Sequence, residues 1–266
     1  MTSSTPDALW SSRSVRLLRP AAVEVRGLRS RPGRANDGGS SLQGLDLAVP
    51  VGARLLLVSR PESAGTLLLR ILAGLVRPAA GSITLAGIPR SDQSPSGWRR
   101  RVAHVGSEPA IYAWLSPVEA LSLAANLAGL ERREAARRVD ELVDHFRLGL
   151  DATRPIGRGG PAVAQKAALA AALVAEPEVL LLDEPLRALD NAERRRLLHL
   201  PRPRVTLVMG SRYPASEEGL VNQVALIRDG RLVLHAAVDE LSAASLPLSA
   251  RGLEALADLR AEAAPH

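Results

Sequence analysis

Two stretches of the sequence hold side chains that could do chemistry. Residues 58–75, VSRPESAGTLLLRILAGL, have the outline of a phosphate-binding loop feeding a helix, but lack the lysine that such a loop needs. Residues 176–185, EPEVLLLDEP, are an apolar run that ends in two carboxylates, Asp183 and Glu184. Elsewhere the choice is narrow. The chain has no cysteine, which excludes disulfides, thiolate catalysis and cysteine-based zinc sites and leaves His, Asp and Glu as possible metal ligands. His199, His235 and His266 show no ligand spacing, and RRR at 194–196 reads as a solvated helix face. Lys166 is the only lysine in 266 residues.

The elements that must position these groups can be read from periodicity. Residues 53–59, ARLLLVS, are a solid apolar run of strand length, the pattern of a strand buried on both faces of a mainly parallel sheet. Residues 205–211, VTLVMGS, read the same way, and 81–89, GSITLAGIP, and 102–106, VAHVG, are two further strands. Alternation at 23–28 and 45–49 predicts two strands joined by the loop 29–41, and 223–236 predicts a hairpin turning at Asp229-Gly230. Helical patterns lie between them. Residues 66–75 are too densely apolar for a surface helix and read as a buried one. Residues 116–150 read as a helical lobe opening on a Ser-Pro-Val-Glu capping-box pattern, and an alanine-rich helix at 163–175 follows the joint RPIGRGGPA. Buried strands alternating with helices predict an α/β sheet. Residues 1–20 predict a flexible arm, and the last thirty or so an Ala/Leu-rich helix with loops.

Composition narrows the function classes. A formal charge of +6 invites a nucleic-acid reading, but arginine is spread along the chain and only 2% of residues are aromatic, too few for stacking platforms. No nucleic-acid partner is expected. No apolar run approaches the ~18 to 20 residues that cross a bilayer, and the start shows no charged-then-apolar signal pattern. A cytoplasmic globular protein is expected.

Residues 179–190, VLLLDEPLRALD, resemble the Walker B strand and D-loop of the ATP-binding cassette (ABC) ATPases, and their neighbours agree in order and spacing. RILAGL, GSITLAG, RRVAHVGSEP, a helical lobe, a Gly-Gly joint and VALIRDGRLV follow the family outline over about residues 22–240. The resemblance implies a P-loop NTPase-like α/β fold, with a mainly parallel core sheet, an antiparallel β subdomain and an α-helical subdomain. It implies an ABC ATPase-like domain at 21–240, with its helical part at about 108–165 and a C-terminal helical tail at 241–266. It also implies ATP and magnesium as cofactors.

The family's site is only partly present. An ungapped match places Ser59, Glu62 and Ala64 at the three loop glycines, Gly65 at the lysine and Thr66 at the magnesium-binding hydroxyl, with Arg60, Ser63 and Leu67 among them. Deleting the lysine position instead lets Ser-Ala-Gly stand for Gly-x-Gly and keeps Thr66. Both versions lose the lysine. Losing one charge-assisted contact removes roughly 1.5 to 3 kcal/mol, and Glu62 adds negative charge. Together ~3 to 5 kcal/mol would weaken binding roughly a hundred- to several-thousand-fold. Arg60 could reach a phosphate, though a guanidinium is not equivalent to the lysine. No aromatic lies near Arg31 or Pro32 to stack on adenine. The Q-loop glutamine falls on Ser107, and the switch histidine falls on Arg212, which cannot exchange a proton near neutral pH. In the signature region GRGGPAV, the serine falls on Gly160, or on Arg158 when Gly159-Gly160 is matched to the glycine pair.

Asp183 and Glu184 remain. In the family the first holds magnesium, with the hydroxyl at Thr66, and the second is the general base. The expectation is a degenerate ABC ATPase subunit, peripheral on the inner face of the membrane, docked on an integral membrane permease and paired with a second ATPase subunit. Exporter-type permeases are favoured by the stretch RPAAGSITLAG. Glu108, Tyr112 and Trp114 are the partner-contact candidates, with core as the alternative for the two aromatics, and Asp190 is an interface candidate. The rival readings are a working ATPase with a non-consensus loop and a soluble ABC-like regulator or scaffold without a permease.

Overall fold

The computed structural model describes residues 20–31, 41–60, 63–91, 95–184, 188–196 and 205–263. Residues 1–19 of the expected arm, Glu62, His199 and His266 lie outside the described residues. In chain order the elements are β1 (Ala21–Arg29), β2 (Gln43–Pro50), β3 (Arg54–Arg60), α1 (Ser63–Leu72), β4 (Ala80–Leu85), β5 (Ile88–Pro89), α2 (Pro95–Arg99), β6 (Val102–Val105) and α3 (Pro117–Leu127). There follow α4 (Arg132–His145), α5 (Gly160–Leu173), β7 (Val179–Asp183), α6 (Asn191–Arg196), β8 (Thr206–Gly210), β9 (Gln223–Arg228), β10 (Arg231–Ala237), α7 (Val238–Ala243) and α8 (Ala250–Glu262).

The strands form two sheets. The smaller is antiparallel, in the order β2-β1-β4-β5; the larger runs β10-β9-β3-β8-β7-β6, parallel except for the β9-β10 hairpin. Apolar side chains on both faces bury β7 and β8 throughout and β3 from Leu55 to Ser59. In β3, Leu55 and Leu57 join a core with α1 and the antiparallel sheet, while Leu56 and Val58 join a second core with the helical block and α8. In β7, Val179 and Leu181 face the first core and Leu180 and Leu182 the second. Period-two alternation thus assigns each strand to both cores.

Most of the predicted elements are present, with differences at their ends. The capping box holds: Ser116 Oγ accepts from Glu119 N, and a Glu119 carboxylate oxygen accepts from Ser116 N at 2.8 Å. Residues 81–89 are not one strand but the hairpin β4-β5, turned at Ala86-Gly87, where both residues have positive φ. The buried helix ends at Leu72 rather than Leu75, because Gly74 takes φ +77 and Leu75 N bonds back to Arg70 O at 2.9 Å. Arg147 stops α4 in the same left-handed way, so the helix does not reach residue 150. The alanine-rich helix begins earlier than expected, at Gly160, with Pro161 in its first turn. No described helix is long and apolar enough to cross a membrane.

Candidate functional site

Parallel pairing aligns Leu57, Gly210 and Asp183 across β3, β8 and β7, so the residues after these strands emerge along one edge. In an α/β sheet that edge is where a ligand cleft forms. A cleft of about 880 Å³ opens there. It gathers Ser59 and Arg60 from the end of β3, Ser63, Gly65 and Thr66 from the start of α1, Ser107 from beyond β6, Asp183 and Glu184 from the end of β7, and Arg212 from beyond β8. Other predicted residues lie apart. Ala64 is fully buried in the first core and Leu67 packs against that core. Gly159 and Gly160 sit at the start of α5, outside the cleft lining.

Thr66 Oγ1 donates to Asp183 Oδ1 at 3.1 Å. Asp183 is only 7% exposed, and burial pushes its carboxyl above the ordinary value, with the Thr66 bond opposing. Behind it on β6, burial holds His104 below the ordinary imidazole value; the Asp183 charge opposes this and Arg70 adds to it. His104 Nε2 has no hydrogen-bond partner among the described residues.

The loop side is arranged differently. Gly65 N donates to the buried Ser59 Oγ at 2.9 Å, and a Cβ on Gly65 would stand 2.7 Å from that oxygen. The two substitutions fit each other: a hydroxyl at the first glycine position takes up a backbone donor, and the absent side chain at the lysine position leaves room for it. Glu184 has φ +50, the left-handed region that non-glycine residues rarely adopt and that clusters at functional sites. Its carboxylate accepts from Arg212 N at 2.6 Å and lies 3.5 Å from Arg212 Nε.

Three groups at the cleft escaped the sequence. Ser211 lines it and donates to Glu217 Oε1 at 3.1 Å. Glu217 is 5% exposed, burial pushes its carboxyl up, and its Oε2 lacks a partner among the described residues. Arg60 Nε pairs with Glu254 Oε1 of α8 at 3.0 Å. For Ser211 the only signal was its place just after a buried strand. Glu217 and Glu254 gave none, since no motif or spacing singles them out.

The sole lysine is used elsewhere. Lys166 Nζ pairs with Glu193 Oε1 at 3.1 Å, both side chains mostly buried, and so ties α5 to α6. Asp190 caps α6: its Oδ1 accepts from Glu193 N at 2.7 Å, and these bonds hold its carboxyl below the ordinary range. Tyr112 and Trp114 are not core. They are 54% and 70% exposed and their rings lie 4.7 Å apart.

The family model for ABC transporters matches residues 42–187. The chain belongs to the ABC transporter ATP-binding family. An aliphatic sulfonates import ATP-binding protein of Corynebacterium glutamicum is 33% identical over 228 residues, 84% of this chain and 86% of that protein. A daunorubicin resistance ATP-binding protein of Streptomyces coeruleorubidus is 31% identical over 227 residues, 84% of this chain and 70% of that one. An uncharacterized ABC transporter ATP-binding protein of Nostoc sp. is 32% identical over 208 residues, 76% of this chain. The chain spans 61% of the length of that relative. The solved ATP binding subunit of an ABC transporter shares the fold, with a TM-score of 0.72 at 24% identity over 84% of this chain and 92% of that one.

Against the ABC family's MgATP, the two halves of the cleft differ. Thr66 and Asp183 supply a hydroxyl and a carboxylate within 3.1 Å of each other, which suits magnesium, an oxygen-seeking ion. The phosphate half departs from the family's pattern: no lysine is present in the loop sequence, and Gly65 N donates to Ser59 Oγ.

Proposed function

We propose that the chain is a degenerate ATP-binding subunit of an ABC transporter, one that couples or scaffolds an integral membrane permease with ATP binding and hydrolysis impaired or lost. It works at the inner face of the membrane, beside a second ATPase subunit. The observation that carries this reading is the Glu184-Arg212 pair. Arg212 stands where the family pattern has a histidine: its backbone N–H donates to the Glu184 carboxylate at 2.6 Å, and its guanidinium Nε lies 3.5 Å from the same oxygen, the one that would activate water. The same position that would sense a terminal phosphate neutralises the base instead.

The relatives named for sulfonate import and for daunorubicin resistance cover the same 84% of the chain at 33% and 31% identity. Identity therefore does not choose between these two named roles. Calorimetric titration with MgATP tests the reading. The expected result is no saturation at micromolar concentration. A micromolar dissociation constant, abolished by Thr66→Ala, would sink this reading and leave the rival, an ATPase that binds through Arg60, Thr66, Asp183 and Glu184. The preserved Thr66-Asp183 contact is what favours that rival.

A further inference from the structure

The last helix reaches the site. β3 and β9 pair in parallel with Arg60, which lines the cleft, beside the like charge of Arg228. Such neighbours repel unless they are neutralised. α8 supplies two acids one turn apart: Glu254 Oε1 lies 3.0 Å from Arg60 Nε and Asp258 Oδ1 lies 3.7 Å from an Arg228 guanidinium nitrogen. Leu253, Leu256 and Ala257 seat the other face of the helix in the core. At its far end Arg260 donates to His235 O at 2.9 Å and pairs with Glu240. Ala250, its first residue, lines the cleft.

We infer that α8 is a latch: Glu254 holds the guanidinium of Arg60 at the cleft rim, and docking of the helix competes with a polyphosphate anion for that one cation. The inference rests on the reading of the cleft as a vestigial phosphate site and adds what controls one of the cations lining it, Arg60. The exposures decide between a latch and a permanent staple. Arg60 is 57% exposed and Glu254 29%, and an ion pair so open to water is weak enough to be exchanged. Coupling of this kind is reciprocal, so an anion that takes Arg60 must loosen α8 by the factor by which α8 weakens the anion.

The test uses the full chain, with sodium tripolyphosphate as probe, followed by calorimetry. Glu254→Gln should tighten binding about two- to fivefold, the range of one exposed pair. The gain should vanish when Arg60→Ala is added, and saturating tripolyphosphate should speed hydrogen exchange across residues 250–262 of the unmutated chain. Unchanged affinity in Glu254→Gln, no measurable binding to either protein, or a gain that survives Arg60→Ala overturns the latch. MgATP titrated in parallel keeps the two readings apart: micromolar binding by the unmutated chain sinks the degenerate-subunit reading and leaves the tripolyphosphate comparison to decide the latch.

Discussion

Asp183 is costly to the fold, and its sign can be worked out. Burial lifts its folded pKa above the ordinary 3.8, so the native state holds the proton more tightly than the unfolded chain does. The stability tied to this group is therefore full below about 3.8 and falls as pH rises through the folded value, leaving a net cost at pH 7. Asp183→Asn removes the charge and keeps an acceptor for Thr66. Its unfolding midpoint should rise by ~1 to 3 °C at pH 7, with the gain fading as pH approaches 3.8. A lower midpoint in thermal melts at neutral pH would contradict this account. Asp183 and Thr66 were legible in the sequence, as a carboxylate closing an apolar strand and a hydroxyl opening a helix. That Ser59 Oγ accepts from Gly65 N was not, because it depends on a side chain turning toward a residue six positions on.

At the scale of elements, strand types followed from uninterrupted apolar runs, and the places where the reading failed are helix ends and turns. Residues 66–75 read as one buried helix because they are so densely apolar, yet one left-handed glycine ends α1 after Leu72. Gly74 is also pressed by packing. An added Cβ would lie 2.2 Å from the Trp98 ring, which is 1% exposed and tied down by its indole bond to Ser91 O at 3.3 Å. The Arg90 and Arg99 guanidiniums lie over the same ring at 5.4 and 5.5 Å. Gly74→Ala should therefore cost ~2 to 4 kcal/mol, combining the left-handed penalty with overpacking. Urea unfolding would show it as a lower midpoint at unchanged slope. A loss under ~1 kcal/mol would mean that Trp98 can move aside, since the backbone penalty alone is about that size. The contacts of α8 lay beyond any local pattern. Arg60 and Glu254 are brought together only because β9 pairs with β3 and the chain then returns across the sheet edge.

The whole molecule separates what the fold needs from what a partner would use. Two cores on opposite faces of one sheet bury the large apolar side chains of every central strand, so stability is secured without Tyr112 or Trp114. These two stand 54% and 70% exposed in mutual contact, a pairing of aromatic area that the fold itself does not consume. Exposed aromatics of this kind are characteristic anchors of protein interfaces, where truncation of a central one costs at least ~2 kcal/mol of binding. The proposed docking on a permease therefore predicts a split outcome for Trp114→Ala. The unfolding midpoint should stay within about 2 °C of the unmutated chain, as for other surface substitutions. Affinity for the permease, measured by co-purification from detergent with whichever multi-span membrane protein is found encoded next to this chain, should fall about thirtyfold. A variant that folds normally and still co-purifies at full yield would move the docking surface away from these aromatics. A stable complex that fails to form even with the unmutated chain would remove the permease from the reading altogether and leave a scaffold that works without one.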